Sequence, residues 1–135
     1  MKQTQFLFGN NMRVKVFVHE NRESAIQMHP DMQDDWRALF HPYDLTMDAE
    51  TGRIQWQKEI GEIHLVEGDY GSEIVSHEAL HATLWWAKAA MFDPTDDRDE
   101  EVICLNHGRL VGDIWRWHYA EQEAEHAGDT AQPLK

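Results

Sequence analysis

The run EIVSHEALHATLWWAKA at residues 73–89 constrains this chain more than any other stretch. Gly68 and Gly71 interrupt the chain just before it, Ser72 is placed to cap a helix N-terminus, and Glu73 in the first turn suits the helix dipole. Pro94 stops it, so the pattern predicts a helix from Ser72 to about Met91. On that helix His77 and His81 lie one turn apart on one face, with Glu78 directly after the first. Imidazoles so spaced can meet one ion at the ~2.0–2.1 Å that zinc prefers, while an adjacent carboxylate reaches a water on the ion without binding it. This is the HExxH arrangement, in which the glutamate serves as general base. The plainer alternative is a helix that carries two ordinary surface histidines.

The rest of the chain frames that helix. Val14, Val16 and Val18 alternate in MRVKVFVH, residues 12–19, and predict a strand. Beyond Pro30, a helix is expected over Asp31–Phe40, then a turn at HPYD, residues 41–44. DAETG at 48–52 is expected to form a hairpin or loop connection leading into a short strand, RIQWQ. GEIHLVEG puts Ile63 and Leu65 on one strand face and His64 and Val66 on the other, and we expect it at the sheet edge. A long helix is expected from about Asp99 to Ala120, and the polar residues 121–135 are expected to fray as a flexible tail. The fold class expected is α+β: one domain over 1–120, a small sheet packed against the HExxH helix and a following helix.

A catalytic zinc needs a third protein ligand and an open position for water. A third histidine six residues after the second is ruled out, because Ala87 stands there, with Leu84 where a glycine would be needed. A cysteine ligand upstream is ruled out too, since the lone cysteine, Cys104, lies downstream. What remains is a side chain on the closing helix. Glu101 shares a stripe with Leu105, Gly108, Gly112 and Trp115, and two glycines there would let the helices approach closely. Glu100 shares its face with Ile103, His107, Val111 and Ile114. We expect His77, His81 and Glu101 as the Zn2+ ligands and Glu78 as the catalytic base, with Glu100 and His107 as alternatives for the third ligand.

SHEALHA followed by DEEVICLNHGRL resembles the gluzincin type of zinc metallopeptidase. More closely, it resembles the small zinc metallopeptidases of phages and prophages, with HExxH on one helix and a Glu-Glu pair opening the next. The resemblance spans residues 62 to about 115. It implies a minimal zincin-like domain, and a zinc-dependent peptidase in which Glu78 takes a proton from a metal-activated water. It also implies a peptide or protein substrate laid along the GEIHLVEG strand. The spacing from His81 to Glu101 is similar to that of thermolysin-like enzymes. One departure is Leu105, where the family's ExxxD pattern has an aspartate; Asp113 or Asp69 would have to orient the histidines instead. HATLWW followed by NHGRL also resembles SprT-like proteases, which would make His107 the third ligand, although the gap from His81 is long for that family.

A zinc-binding phage regulator without catalysis, and an acidic protein mimicking a host ligand, are the competing functions. The formal charge of −13 makes nucleic acid an unexpected partner. No apolar run suggests a leader or a membrane span, and the single cysteine suits a reducing compartment, so a cytoplasmic protein is expected. Tyr70, His107, His118 and Tyr119 are candidates for oxyanion support. Trp85, Trp86, Trp115 and Trp117 are expected mainly to fill the core. His19, His29, His41, His64 and His126 look scattered, and no chemistry is assigned to them.

Overall fold

A computed structural model describes residues 1–30, 37–44, 46–47, 50–51, 54–55 and 58–130. The sheet is built from β1 (Lys2–Leu7), β2 (Arg13–His19), β3 (Ala38–Pro42) and β6 (Glu59–Val66), in the order β1-β2-β6-β3. β1 runs antiparallel to β2, β2 parallel to β6, and β3 antiparallel to β6. β4 (Thr46–Met47) and β5 (Ile54–Gln55) pair antiparallel as a separate two-stranded sheet, which agrees with the hairpin expected between them; residues 48–49 and 52–53 lie outside the described residues. Three helices complete the fold: α1 (Arg22–Met28), α2 (Ser72–Ala89) and α3 (Asp97–Thr130). The architecture is α+β, as expected, and no described helix is long and apolar enough to cross a membrane.

Alternation along β2 and β6 explains why both faces of the sheet are occupied. Val14, Val16 and Val18 share one face with Ile63 and Leu65, and all five are buried against α2 and α3. Ala79 and Ala82 on α2 carry almost no side-chain bulk, so the helix lies close to those branched residues. Trp86 closes this core, stacked on Phe8 at a centroid distance of 5.2 Å with its N–H donating to the Gly9 carbonyl. From α3, Ile103, Leu110 and Ile114 reach the same core, and Asn106 accepts the Gly9 N–H. The opposite face carries Phe17, His19, His64 and Val66, and α1 covers part of it through Ala25 and Ile26.

Several expectations change. The helix predicted over Asp31–Phe40 is not what the chain forms at its described end, where residues 38–42 are strand β3 and residues 31–36 lie outside the described residues. The helix sits earlier instead, at Arg22–Met28, because Asn21 caps it by accepting the Ser24 N–H at 2.8 Å and Pro30 follows its end. Part of the expected turn at 41–44 is also strand, since β3 extends through Pro42. The strand expected at the edge, β6, is interior, with β2 on one side and β3 on the other and nearly every residue buried. β3 is the edge. α3 does not end at Ala120 but continues to Thr130, where its Glu125 pairs with Lys2 of β1.

At Gly61 the two strands meet too closely for any side chain. A Cβ there would stand 2.5 Å from the His41 carbonyl oxygen and 2.9 Å from the Phe40 ring. Gly61→Ala should therefore force β3 away from β6 and destabilise the protein by about 1–3 kcal/mol, the usual range for overpacking. Urea denaturation checks this, and an unchanged midpoint would show that β3 yields without cost.

Candidate functional site

A cavity of about 680 Å³ lies between α2 and the edge strand β3. Glu73, His77, His81 and Trp85, each four residues after the last, form the helix side of it, and residues 37–40 with Pro42 form the strand side. Among the described residues, no strand pairs with the outer edge of β3, so backbone donors and acceptors face the cleft. Trp85 fixes the far end by donating its ring N–H to the Tyr43 carbonyl at 3.1 Å.

The HExxH residues meet inside this cleft. The Nε2 atoms of His77 and His81 stand 3.1 Å apart. That distance is a hydrogen bond between the two rings, and it is close to the roughly 3.3 Å between two ligand atoms each ~2.0–2.1 Å from a tetrahedral zinc. Glu78 is only 7% exposed although it borders the cleft. Its Oε1 lies 4.0 Å from His77 Nε2, and its carboxylate accepts the Phe40 backbone N–H, which ties the helix to the strand. Burial pushes the Glu78 carboxyl up, and the neighbouring His77 and the Phe40 bond oppose that shift.

The third expected ligand is not brought to this pair. Glu101 is exposed, and its stripe continues through Leu105, 65% exposed, and Gly108, whose Cβ position meets nothing within 4 Å. The atoms nearest a Cβ on Gly112 belong to the Arg116 side chain of the same helix and not to α2, so neither glycine has α2 as its nearest neighbour. The stripe of α3 that faces α2 is the one shared by Glu100, with Ile103 and Ile114 buried and His107 Nε2 3.2 Å from the Ser76 carbonyl oxygen. Asp69 is engaged by Arg22 and Arg37, and Asp113 by Arg116, rather than by either HExxH histidine. Tyr70 and His118 bond one another at 2.6 Å. Of the tryptophans, Trp86 fills the core, Trp115 and Trp117 pack against it, and Trp85 borders the cleft.

A second cluster, to which the sequence reading assigned no role, lies on the opposite sheet face. Among the described residues, His29, Glu62 and His64 are the one group of three or more His, Cys, Asp or Glu with ligand atoms all within 4.8 Å of one another, and it could hold a metal ion. Glu62 Oε1 is 3.3 Å from His64 Nε2 and 3.9 Å from His29 Nε2. His64 Nδ1 shares a hydrogen bond of 2.8 Å with His19 Nε2, and the His41 ring lies 4.8 Å from that of His29. Burial, followed by the facing imidazoles of His29, His19 and His41, holds His64 down at about 3, and burial lowers His19 as well. Burial and the Glu62 carboxylate, to which the Tyr43 hydroxyl bonds, raise the Tyr43 phenol. Part of this was visible in sequence: Glu62 and His64 are two apart and must share a strand face. The approach of His19 and His29 depends on strand pairing and chain reversal, which local patterns do not carry.

No protein-family model, curated protein or solved structure matches the chain.

The lowered His64 and His19 rings set a sign for acid stability. A ring that binds its proton less well folded than unfolded stabilises the fold above the ordinary imidazole range and loses that contribution as pH falls. Chelator-treated protein should lose stability as pH falls from about 6.5 toward 3, measured by thermal melts. His64→Gln should flatten that slope, and an equal slope in both proteins would contradict the assignment.

Proposed function

We propose that the protein is a zinc-dependent peptidase acting in the cleft between α2 and β3. The observation that carries this reading is the 3.1 Å approach of His77 and His81 Nε2 beside a buried glutamate and an open strand edge. The residues suit the metal: two imidazoles of one helical turn, spaced for tetrahedral zinc, with a carboxylate next to them. A zinc ion held there would supply Lewis-acid polarisation of water and of the scissile carbonyl.

The chain's own groups would do the rest. An extended peptide would lie along the outer edge of β3, pairing with backbone groups other than the Phe40 N–H that Glu78 already holds, its side chains entering the cleft. Glu78, raised by burial, is suited to take a proton on a carboxylate oxygen and return it to the departing amine. The Phe40 N–H bond holds that carboxylate in place. The third ligand would come from the opening turns of α3. Glu101 is the one that spacing and family resemblance favour, with Glu100 and His107 as alternatives; among the described residues none of the three lines the cleft. The incomplete triad also supports the second reading, a zinc-binding protein without hydrolytic activity.

Glu78→Gln should keep zinc at wild-type occupancy and lower hydrolysis of an unfolded protein substrate by about 10²–10⁴-fold, the range for lost general-base catalysis. Equal cleavage by both forms would end the peptidase reading, and zinc binding with no cleavage by either would select the second. Among Glu100→Ala, Glu101→Ala and His107→Ala, the variant that loses zinc from the cleft identifies the third ligand. Full occupancy in all three would exclude α3 as its source.

A further inference from the structure

We propose that His29, Glu62 and His64 form a second metal site, for a divalent transition ion of the zinc class, on the face of the sheet opposite the cleft. Two buried imidazole nitrogens are aimed into it: among the described residues, His64 Nε2 and His29 Nε2 have no hydrogen-bond partner, and His64 is only 1% exposed. Burying such atoms unpaired costs free energy that a ligand would recover. The ion-pair partners of the buried Glu62 carboxylate are these same two imidazoles. A cation between the three would give the two unpartnered imidazole nitrogens a ligand role beside the Glu62 carboxylate, which the Tyr43 hydroxyl supports.

The geometry fits the donor set. The 3.3 Å from Glu62 Oε1 to His64 Nε2 matches the roughly 3.3 Å between ligands of a tetrahedral zinc, and the 3.9 Å to His29 Nε2 closes with a small side-chain adjustment. If His64 Nδ1 donates to His19 Nε2, its Nε2 lone pair is left free for the ion, which is the usual outer support of a histidine ligand. Two imidazoles and one carboxylate suit zinc better than calcium or magnesium, which take oxygen ligands. The position also has mechanical sense. Glu62 and His64 pair across β6 with His41 and Leu39 of β3, the strand whose other face forms the cleft wall. The metal would join the end of α1 to β6, the strand on which that wall is paired, beside a small apolar cluster in which Ala25 and Val66 are buried.

Zinc stoichiometry of the full chain by native mass spectrometry, after chelation and titration with Zn2+ alone, tests the site separately from the cleft. His77→Ala/His81→Ala protein should still take up one zinc and melt at a higher temperature with it. Adding His29→Ala, or separately Glu62→Gln, should remove that zinc. His29 caps α1 through its backbone N–H, so its side chain can be removed without disturbing the helix end. If the double variant takes up no zinc, or if both added substitutions leave its uptake unchanged, the second site does not exist. Wild-type protein that binds one zinc, kept in full by the double variant, would uphold this site and remove the cleft reading alone.

Discussion

The seating of α2 on the sheet decides where everything else stands. Val75, Ala79, Ala82 and Trp86 form its buried face, and small side chains at 79 and 82 let the helix backbone settle onto Val16, Ile63 and Leu65. With that face fixed inward, the helical period turns His77 and His81 away from the core and Glu78 toward β3. The bond from the Phe40 N–H to Glu78 then sets the width of the cleft from the polar side, as the alanines set it from the apolar side. Burial is favourable for the apolar residues and costly for Glu78. A buried carboxylate beside two converging imidazoles is more often a feature of functional sites than of stable cores, and the proposed function rests on it.

β3 and β6 serve two purposes at once. On one face, Phe40 and Ala38 help form the cleft. On the other, Leu39 packs over Val66 and Ala25, and Glu62 and His64 meet His29. Because residues alternate across a strand, a shift of β3 by one position would exchange these roles and destroy both arrangements. Gly61 holds the register by admitting the Phe40 ring and the His41 carbonyl where a side chain would not fit.

Legibility in the sequence followed the range of the forces involved. α2 was visible because its period and stop signal are local, although Gly71 rather than the expected Ser72 takes the N-cap position, with no side-chain bond, and β2 because its valines alternate. The HExxH pair was visible for the same reason, since one helical turn fixes it. β3 was mistaken for helix because Leu39 and Phe40 follow a stretch with helical spacing, and only pairing with β6 commits them to a strand. β6 looked like an edge because nothing local shows that a neighbour on each side will bury it. The choice among Glu100, Glu101 and His107 hung on the rotation of α3, which is set by contacts of Ile103, Asn106 and Leu110 and not by the spacing of the glutamates. The cluster around His64 brings together residues from β2, β6 and the end of α1. No short motif could have announced it.

The most direct measurement is an anomalous difference map, collected at the zinc absorption edge from crystals grown with saturating zinc. The account requires a strong peak between the Nε2 atoms of His77 and His81, with density for a side chain of α3 and for a solvent molecule around it. An unoccupied cleft at full zinc saturation, with the two rings turned apart, would contradict it.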